Sequence, residues 1–370
     1  AKDYDVEITS YDYLKCDIEH YENFHFTYQI VDEAQYIKNH NTKNAVSVKQ
    51  IQAAHRFALT GTPIENSLAE LWSIFDFLLP GILGRYEVFR QRYEIAIVQG
   101  QDEVALKRLQ KMIQPFLLRR LKQDVLKDLP EKIETIVYSK METAQRELYI
   151  ANLQRVLDGL QKKSDAEVQS EKLQILAELT RLRQLCCDPS LLYENYNGGS
   201  AKLDTCMELI DNALQSGSKV LVFSQFTTML DRIRQRLETQ HIASFTLIGA
   251  TSKEKRAELV QRFNKNDEAS VFLISLKAGG TGLNLTAASV VIHVDPWWNA
   301  AAQEQATDRA HRIGQKQAVS VFQLITKDTI EEKIQALQAQ KLALSHSVIA
   351  AQGMSIASLN KDEILEILQS

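Results

Sequence analysis

The sequence is short of several features that would mark common classes of protein. Its four cysteines, Cys16, Cys186, Cys187 and Cys206, form no CxxC pair, which argues against a zinc site and predicts buried free thiols. No apolar run approaches the roughly 20 residues that cross a bilayer. The net charge of −4 argues against a broadly polyanion-binding surface, so any nucleic-acid contact is expected in a local groove.

Three further features are missing from the 370 residues. The opening stretch, AKDYDVEITSYDYL, has neither the basic nor the continuous apolar segment of a secretory signal, so we expect a cytoplasmic location. The chain also begins without Met, ahead of a predicted strand at VEITSY, and we expect this start to be a cut. No GK[ST], the core of a phosphate-binding loop, occurs anywhere in the sequence.

Short β-branched and aromatic runs alternate with helical patterns in the second half of the chain. Segments such as TTMLDRIRQRLETQH carry apolar residues at helical spacing. Ahead of them, the stretch KIETIVYSKM after Pro130 predicts one strand. The runs that separate the helical patterns predict strands at KVLVFS, SFTLIG, SVFLISL, SVVIHVD and AVSVFQLI. Because these runs are apolar on both faces, they predict a parallel sheet covered by helices, which is an α/β fold.

The first part of the chain repeats this pattern in a less complete form. Strands are predicted at TYQIVD and HRFALTG, and helices at Asn44–Ala54 and LAELWSIFDFLLPG. The predicted organisation is an incomplete first lobe at 1–130 with a helical insertion at 82–129, a complete second lobe at 131–330 with a helical insertion at 143–195, and a helical extension at 331–370. Pro130 is the predicted hinge.

The stretch IVDEAQYIKN places two adjacent carboxylates, Asp32 and Glu33, at the end of a predicted strand. Ligands of open α/β sheets gather at the carboxyl ends of strands. Mg²⁺ is typically held by one or two carboxylates together with nucleotide phosphates, and a neighbouring Glu can orient the attacking water. The alternative is a solvated turn, which DE alone would favour.

The stretch DPWWNAAAQEQATDRAHRIGQ predicts a helix that is capped by Asn299 and ended by Gly314. Within it Gln305, Arg309 and Arg312 are spaced i, i+4 and i+7, which would put them on one face. Two guanidinium groups on one stripe can stabilise charge that builds on a triphosphate. A solvated polar face is the alternative.

Two glycine-containing loops follow other predicted strands. SLKAGGTGLNL has glycines that let the backbone approach a phosphate, and it departs from GxGxxG because Leu285 stands at the third glycine position. TGTPIENS, which begins at Thr60, is a polar turn ahead of a helix. Taken alone, the first loop is a weak signal whose alternative is a tight connecting turn, and the second would be an ordinary polar loop.

The order of these motifs is more specific than any one of them. DEAQ, TGTP, VFSQF, GGTGLNL and QATDRAHRIGQ each stand at a predicted strand end, and LWSIFDFLLPG, FLLRRLKQDV and DPWWN lie between them. This series resembles the Swi/Snf-type ATPases, a branch of the superfamily 2 helicases, over nearly the whole chain. The compact helical blocks are similar to those of a bacterial or archaeal member. The resemblance implies two RecA-like lobes that bind ATP between them and contact duplex DNA.

The resemblance also implies roles for individual residues, with ATP and Mg²⁺ as cofactors. Catalytic roles fall to Asp32, which would hold Mg²⁺, and to Glu33, Arg309 and Arg312. The implied ATP-binding residues are Gln305, Gly282 and Asn284. The implied coupling residues are Gln35, Thr60, Gly61 and Thr62. The implied DNA contacts, which would be to phosphates and largely independent of base sequence, are Ser224, Gln225, Lys277, Gly280 and Thr281.

The family carries a phosphate loop of the GxGKT kind upstream of the two acids, and this chain has none. We therefore expect most of an ATP-dependent translocase of double-stranded DNA, nucleoid-associated in the cytoplasm, that does not turn over ATP as the chain stands. Two alternatives remain open. One is a protein without enzymatic activity, a DNA-binding or scaffold module, and the other is a related enzyme, a strand-separating helicase.

Overall fold

A computed structural model describes residues 4–21, 23–61, 67–98, 100, 102–118, 120, 122–265, 268–279, 282–344 and 361–368. They form an α/β protein with two compact units, a first unit made mainly of residues 1–119 and a second made mainly of residues 120–340. The division falls ahead of the predicted hinge at Pro130. In the described part of the chain, no helix is both long and apolar enough to span a bilayer.

The first unit contains two parallel strands, β1 at His25–Val31 and β2 at Gln52–Ala58, with Tyr28 opposite His55. A 3₁₀ turn follows β1 at Ala34–Ile37, a π-helix lies at Arg90–Ile95, and a second 3₁₀ turn lies at Gln114–Phe116. The α-helices are α1 at Tyr11–Cys16, α2 at Ile18–Tyr21, α3 at Lys43–Gln50, α4 at Leu68–Leu78, α5 at Tyr86–Phe89, α6 at Ala96–Val98 and α7 at Glu103–Ile113.

The predicted strand at VEITSY is wrong. Residues 4–10 have no regular structure, and α1 begins at Tyr11 after Ser10, whose hydroxyl accepts a hydrogen bond from Tyr13 N at 3.3 Å. Val6 and Ile8 are 74% and 91% exposed. A strand is stable only when a neighbouring strand satisfies its backbone groups, and a Ser cap favours a helix start instead.

One face of the β1–β2 sheet packs on helices and carries the small core of the first unit. The buried members include Val31, Ala34, Ile37, Val48 and Phe77, contributed by β1, the 3₁₀ turn, α3 and α4. A second cluster joins α4 to the helices of the predicted insertion through Leu71, Phe89 and Leu109. The alternation along each strand places its remaining apolar residues on the other face, where Tyr28, Ile30 and Phe57 are exposed.

The second unit is built on a six-stranded, wholly parallel sheet in the order β3-β8-β7-β4-β6-β5. The strands are β3 at Lys132–Ser139, β4 at Lys219–Ser224, β5 at Ser244–Leu247, β6 at Val271–Ser275, β7 at Ala288–His293 and β8 at Val319–Thr326. The helices are α8 at Lys122–Val125, α9 at Thr143–Gln161, α10 at Asp165–Ser170, α11 at Lys172–Cys187, α12 at Ala201–Gln215, α13 at Thr227–Thr239, α14 at Lys253–Lys265, α15 at Leu276–Gly279, α16 at Ala300–Thr307, α17 at Ile330–Leu344 and α18 at Lys361–Leu368, with a 3₁₀ turn at Pro189–Leu191.

Successive residues of β4 enter two different cores. Val220 and Val222 pack with α12 and α13 on one face, whereas Leu221 and Phe223 pack with α14 and α16 on the other. A strand buried on both faces is apolar at nearly every position, and this is why KVLVFS predicted it well. The predicted parallel sheet covered by helices is confirmed.

A third core joins the helical block α9–α11 to α17 and α18. It contains Tyr149, Leu179, Leu182, Ile334 and Ile364, all of them buried. Three of the four thiols are buried as predicted, but Cys16 is exposed at the end of α1. The prediction of burial failed there because a short helix at the surface hides only one side of its residues.

Candidate functional site

Asp32 and Glu33 lie just beyond the carboxyl end of β1, beside the carboxyl end of β2. Leu59 N donates to Val31 O at 2.8 Å and Ala34 N donates to Leu59 O at 2.9 Å, so the two strand ends are held together. Glu33 has φ 50° and ψ 55°, in the left-handed region that non-glycine residues seldom adopt. Strain of this kind persists where the surroundings enforce it and is concentrated at functional sites.

The side chain of Gln35 connects the acids to the turn after β2. Its Nε2 donates to Glu33 Oε2 at 2.6 Å, and its Oε1 accepts from the hydroxyl of Thr60 at 3.1 Å. A carboxylate only accepts hydrogen bonds, so the orientation of the amide is fixed at both ends. The structure therefore brings together three of the predicted site residues, Glu33, Gln35 and Thr60.

Asp32 is exposed, and its Oδ1 accepts a hydrogen bond from Glu33 N at 2.8 Å. Its carbonyl accepts from the hydroxyl of Tyr11 at 2.7 Å, and burial together with the charges of Asp32 and Glu33 raises the pKa of Tyr11 to about 12. Tyr11 is therefore a protonated donor at neutral pH. An exposed carboxylate beside a second one fits Mg²⁺, which draws its remaining ligands from water and phosphate. No cluster of three or more potential metal ligands occurs among the described side chains.

Helix α4 holds the turn that follows the acids. Ser73 donates from its hydroxyl to Ile37 O at 2.6 Å, and Lys38 Nζ lies 3.3 Å from Glu70 Oε1. Ile37 is fully buried beneath this turn. The acid-bearing loop is thereby anchored to the helix that follows the TGTP segment.

In the second unit, the predicted helix over DPWWNAAAQEQATDRAHRIGQ is confirmed only in its first half. Asn299 caps α16 by accepting from Ala301 N at 3.0 Å, as predicted. The helix ends at Thr307, so the prediction that Gln305, Arg309 and Arg312 share one helical face is wrong.

After Thr307 the backbone forms tighter turns, in which Arg309 N donates to the carbonyl of Ala306 at 3.1 Å and Ala310 N donates to the carbonyl of Thr307 at 3.0 Å, each three residues back instead of four. Leu285 N donates to the carbonyl of Arg309 at 2.9 Å, and Gln315 Nε2 donates to the carbonyl of Ala310 at 3.1 Å. Both carbonyls lie beyond the end of α16, and these two contacts hold the segment that follows the helix. Arg309 is 8% exposed, and Arg312 Nη1 donates to Leu283 O at 3.1 Å. The segment that contains Arg309 and Arg312 is therefore hydrogen-bonded to the GGTGLNL segment. The roles of both arginines stay predictions.

The other residues predicted to bind ATP, to contact DNA or to couple the two are described only in part. Gly282 is exposed with φ 48°, a conformation that favours glycine, and Asn284 is exposed with its carbonyl accepting from Asn264 Nδ2 at 2.6 Å. Lys277 is exposed on α15, and Gly61 is exposed after Thr60. The predicted residues Thr62, Gly280 and Thr281 lie outside the described residues.

Ser224 and Gln225, both predicted to contact DNA, lie at the carboxyl end of β4. Ser224 is fully buried and its hydroxyl donates to Asp295 Oδ1, while Gln225 N lies 3.3 Å from the same oxygen. A phosphate contact by the Ser224 hydroxyl would require this bond to break. Its assignment to DNA stays a prediction, and the hydroxyl has a structural partner here.

Three buried polar groups near the sheet escaped the sequence reasoning. Arg183 is 2% exposed and pairs with Asp295, and Lys202 pairs with Glu331, both fully buried, at 2.6 Å. His293 on β7 lies 2.8 Å from the Thr307 hydroxyl at the end of α16. A signal existed for Arg183, because it follows the buried Leu179 by four residues and so interrupts the apolar stripe of α11.

Comparison with known proteins identifies both halves of the chain. A profile of the SNF2-related domain matches residues 1–191, and a profile of the helicase conserved C-terminal domain matches residues 201–314. The first match covers just over half of the chain.

Relatives with similar sequences occur in bacteria and eukaryotes. A putative ATP-dependent helicase/translocase of Bacillus subtilis is 39% identical, over 98% of this chain and 40% of its own length. A mouse SWI/SNF-related, matrix-associated, actin-dependent regulator of chromatin, subfamily A member 1, is 36% identical over 99% of this chain and 36% of its own length. The chain thus spans roughly two fifths of these relatives or less.

A solved structure with the same fold is the SWI2/SNF2 ATPase core of Sulfolobus solfataricus in complex with double-stranded DNA. It has 36% sequence identity and a TM-score of 0.55, and the match covers 99% of this chain and 78% of that one. The predicted pair of RecA-like lobes agrees with this likeness. The chain therefore belongs to the SNF2-related family and carries a SNF2-related domain followed by a helicase C-terminal domain.

Proposed function

We propose that the full-length protein is an ATP-dependent motor that moves along double-stranded DNA. The observation that supports this most strongly is the hydrogen-bonded series Glu33–Gln35–Thr60, which joins a pair of acids to the turn after the neighbouring strand. A connected series of this kind can relay a change at the nucleotide to a second segment. The names of the relatives, which include ATP-dependent helicases, support the same reading.

In this proposal Asp32 holds Mg²⁺ with the phosphates of ATP, and Glu33 orients the attacking water. Mg²⁺ neutralises charge that develops on the phosphates. Arg309 and Arg312, with Gln305, Gly282 and Asn284, act on the triphosphate. The chain has no GK[ST], so by itself it lacks the loop that positions the phosphates and is proposed to be inactive.

The proposed DNA contacts are to phosphates, through Gln225, Lys277 and the loop that includes Gly280. Ser224 is assigned to the support of this segment, because its hydroxyl is engaged with Asp295. Phosphate contacts make binding sensitive to salt and nearly independent of base sequence. Duplex DNA is the proposed partner, and the cytoplasmic nucleoid is the proposed location.

The test is a pair of assays on the full-length protein with ATP and Mg²⁺. One measures displacement of a third strand from a triplex on intact duplex, and the other measures unwinding of a fork. The proposal expects ATP-dependent third-strand displacement without fork unwinding. Unwinding would favour a strand-separating helicase, and DNA binding without ATP hydrolysis would favour a scaffold module. Either result would overturn the proposal.

A further inference from the structure

Arg183 is an arginine of α11 that lies inside the second unit, where it is 2% exposed. It contacts a segment that the proposed function assigns to DNA and a segment that leads to a residue assigned to ATP. One is the segment 224–226 at the end of β4, which is proposed to contact DNA. The other is the segment 295–298, which leads into α16 and Gln305 on the ATP side. A single guanidinium group thus connects both segments.

The first set of contacts is to segment 224–226. Arg183 Nη1 donates to Gln225 Oε1 at 2.9 Å, and the guanidinium carbon lies 5.8 Å from the centre of the Phe226 ring. Because an arginine only donates hydrogen bonds, this contact fixes the amide oxygen of Gln225 towards the protein. The amide nitrogen of Gln225, which is buried and has no hydrogen-bond partner among the described residues, is thereby oriented by Arg183.

The second set of contacts is to segment 295–298. Arg183 Nη2 donates to the carbonyl of Pro296 and lies 3.6 Å from Asp295 Oδ2, and the guanidinium carbon is 5.5 Å from the Trp298 ring. Asn299, the next residue, caps α16. Arg183 therefore fixes the backbone at the point where α16 begins.

The carboxylate of Asp295 contacts both Arg183 and the segment 224–226. It is fully buried, and it accepts from the Ser224 hydroxyl and lies 3.3 Å from Gln225 N while it pairs with Arg183. Every partner of this carboxylate therefore belongs to, or is bound to, one of the two segments. Movement of one segment changes the hydrogen bonds available to the other, which is a physical route for coupling.

We propose that Arg183 is a positioning residue that couples segment 224–226 to the start of α16, so that the stimulation of ATP hydrolysis by DNA depends on its planar guanidinium. This inference rests on the proposed function. A lysine would keep the charge beside Asp295, but it lacks the fork that contacts Gln225 and Pro296 together. Charge alone is therefore insufficient.

The experiment compares Arg183→Lys, Arg183→Met and the control Arg181→Met in the full-length protein. Arg181 lies on the same helix, with its Nε 3.9 Å from Glu178 at the surface. ATP hydrolysis is measured with and without saturating duplex DNA. In both Arg183 variants we expect the ratio of stimulated to basal rate to fall about tenfold, which corresponds to about 1.4 kcal/mol of coupling. We expect the basal rate to stay within about twofold and the control to match the parent.

Amide hydrogen exchange supplies a readout that does not depend on activity. In Arg183→Met we expect faster exchange both at Gln225 and Phe226 and at Trp297 and Trp298, and no change there in Arg181→Met. Faster exchange at one segment only would overturn the inference. It would also be overturned if Arg183→Lys kept the parent's ratio of stimulated to basal ATP hydrolysis, or if the basal and stimulated rates fell equally.

If Arg183→Met does not fold, the ratio of stimulated to basal hydrolysis in Arg183→Lys decides. A full-length protein without DNA stimulation refutes the proposed function itself, whereas a stimulated protein whose Arg183 variants keep the ratio refutes this inference alone.

Discussion

Gln35 Nε2 donates to Glu33 Oε2 at 2.6 Å, while the other end of the same amide accepts from Thr60 at 3.1 Å. The predicted water-orienting acid is therefore held by an amide whose position depends on the turn after β2. Loss of a single hydrogen bond here would change the orientation of the carboxylate without removing it. This arrangement makes separate predictions for the two ends of the amide.

The first prediction concerns the Thr60 end. Thr60→Val removes the hydroxyl that donates to Gln35 and keeps the shape of the side chain. We expect the DNA-stimulated turnover number of the full-length protein to fall about fivefold, because a neutral hydrogen bond contributes about 1 kcal/mol. The control is Thr27→Val at an exposed position of β1. Equal turnover in Thr60→Val and the parent would contradict a role for this bond.

The second prediction concerns the acid itself. Glu33→Gln removes the charge that would orient water, and we expect hydrolysis to fall by roughly a hundredfold or more while ATP and DNA binding persist. Phosphate release and fluorescence anisotropy with labelled duplex measure the two properties. The matched control is Glu87→Gln, at an exposed position of α5 in the same unit. Hydrolysis retained in Glu33→Gln, or lost to the same degree in Glu87→Gln, would reject the assignment.

The third prediction is a pH dependence of stability that comes from His293. Burial, assisted by the charge of Lys132, lowers the pKa of His293 from 6.5 to about 3. At a pH between these two pKa values, His293 is protonated in the unfolded chain and neutral in the native chain. The free energy of unfolding should therefore decrease as pH falls from 6.5 to 3, by up to about 1.4 kcal/mol per unit of pH.

Urea titrations at several pH values test this dependence. His293→Gln should have a smaller slope of stability against pH than the parent over that range. His241→Asn, which replaces an exposed histidine with φ 58°, should keep the parental slope. If His293→Gln and the parent have the same slope, the histidine is not responsible.

The fourth prediction concerns thiol reactivity. Burial raises the pKa of Cys206 to about 12 and raises those of Cys186 and Cys187 as well, whereas Cys16 is exposed. The thiolate is the reactive form. A chromogenic aromatic disulfide should therefore react rapidly with one thiol of this chain and with the other three only in denaturant. Cys16→Ser should abolish the rapid phase; a rapid phase that persists in this variant would contradict the burial.

The sheet of the second unit could be predicted from sequence because its strands are buried on both faces. The nearly continuous apolar run in KVLVFS predicts a strand that is buried on both faces, and β4 spans the same residues, Lys219–Ser224. VEITSY has a strand-like alternation as well, but a strand also needs a neighbour, which sequence pattern alone does not supply. The alternating pattern of residues 6–11 therefore predicted a strand that the structure does not contain at those residues.

The geometry around the candidate site could be predicted only in part from the sequence. Periodicity extended α16 to Gly314, whereas the helix ends at Thr307, and the backbone beyond it is hydrogen-bonded to Leu285 and Gln315. Arg183 was missed because an arginine on an amphipathic helix usually lies in solvent. Its partners, Asp295 and Gln225, come from two other strand ends, and only the folded chain brings them together.

The central proposal is that this chain carries part of an ATP-binding site, in which Arg312 would stabilise the charge that develops on the transferred phosphoryl group. The most direct measurement is steady-state phosphate release by the full-length protein with Mg²⁺ and saturating duplex DNA, for the parent, Arg312→Ala and the control Arg234→Ala. Arg234 lies on α13 with its guanidinium 2.7 Å from Glu238, in a surface pair. We predict a fall on the order of 10³ in Arg312→Ala, with DNA affinity nearly unchanged and the control at the parental rate. Hydrolysis by Arg312→Ala within about threefold of the parent would contradict the account, since an arginine that stabilises the transferred phosphoryl group is worth far more than that.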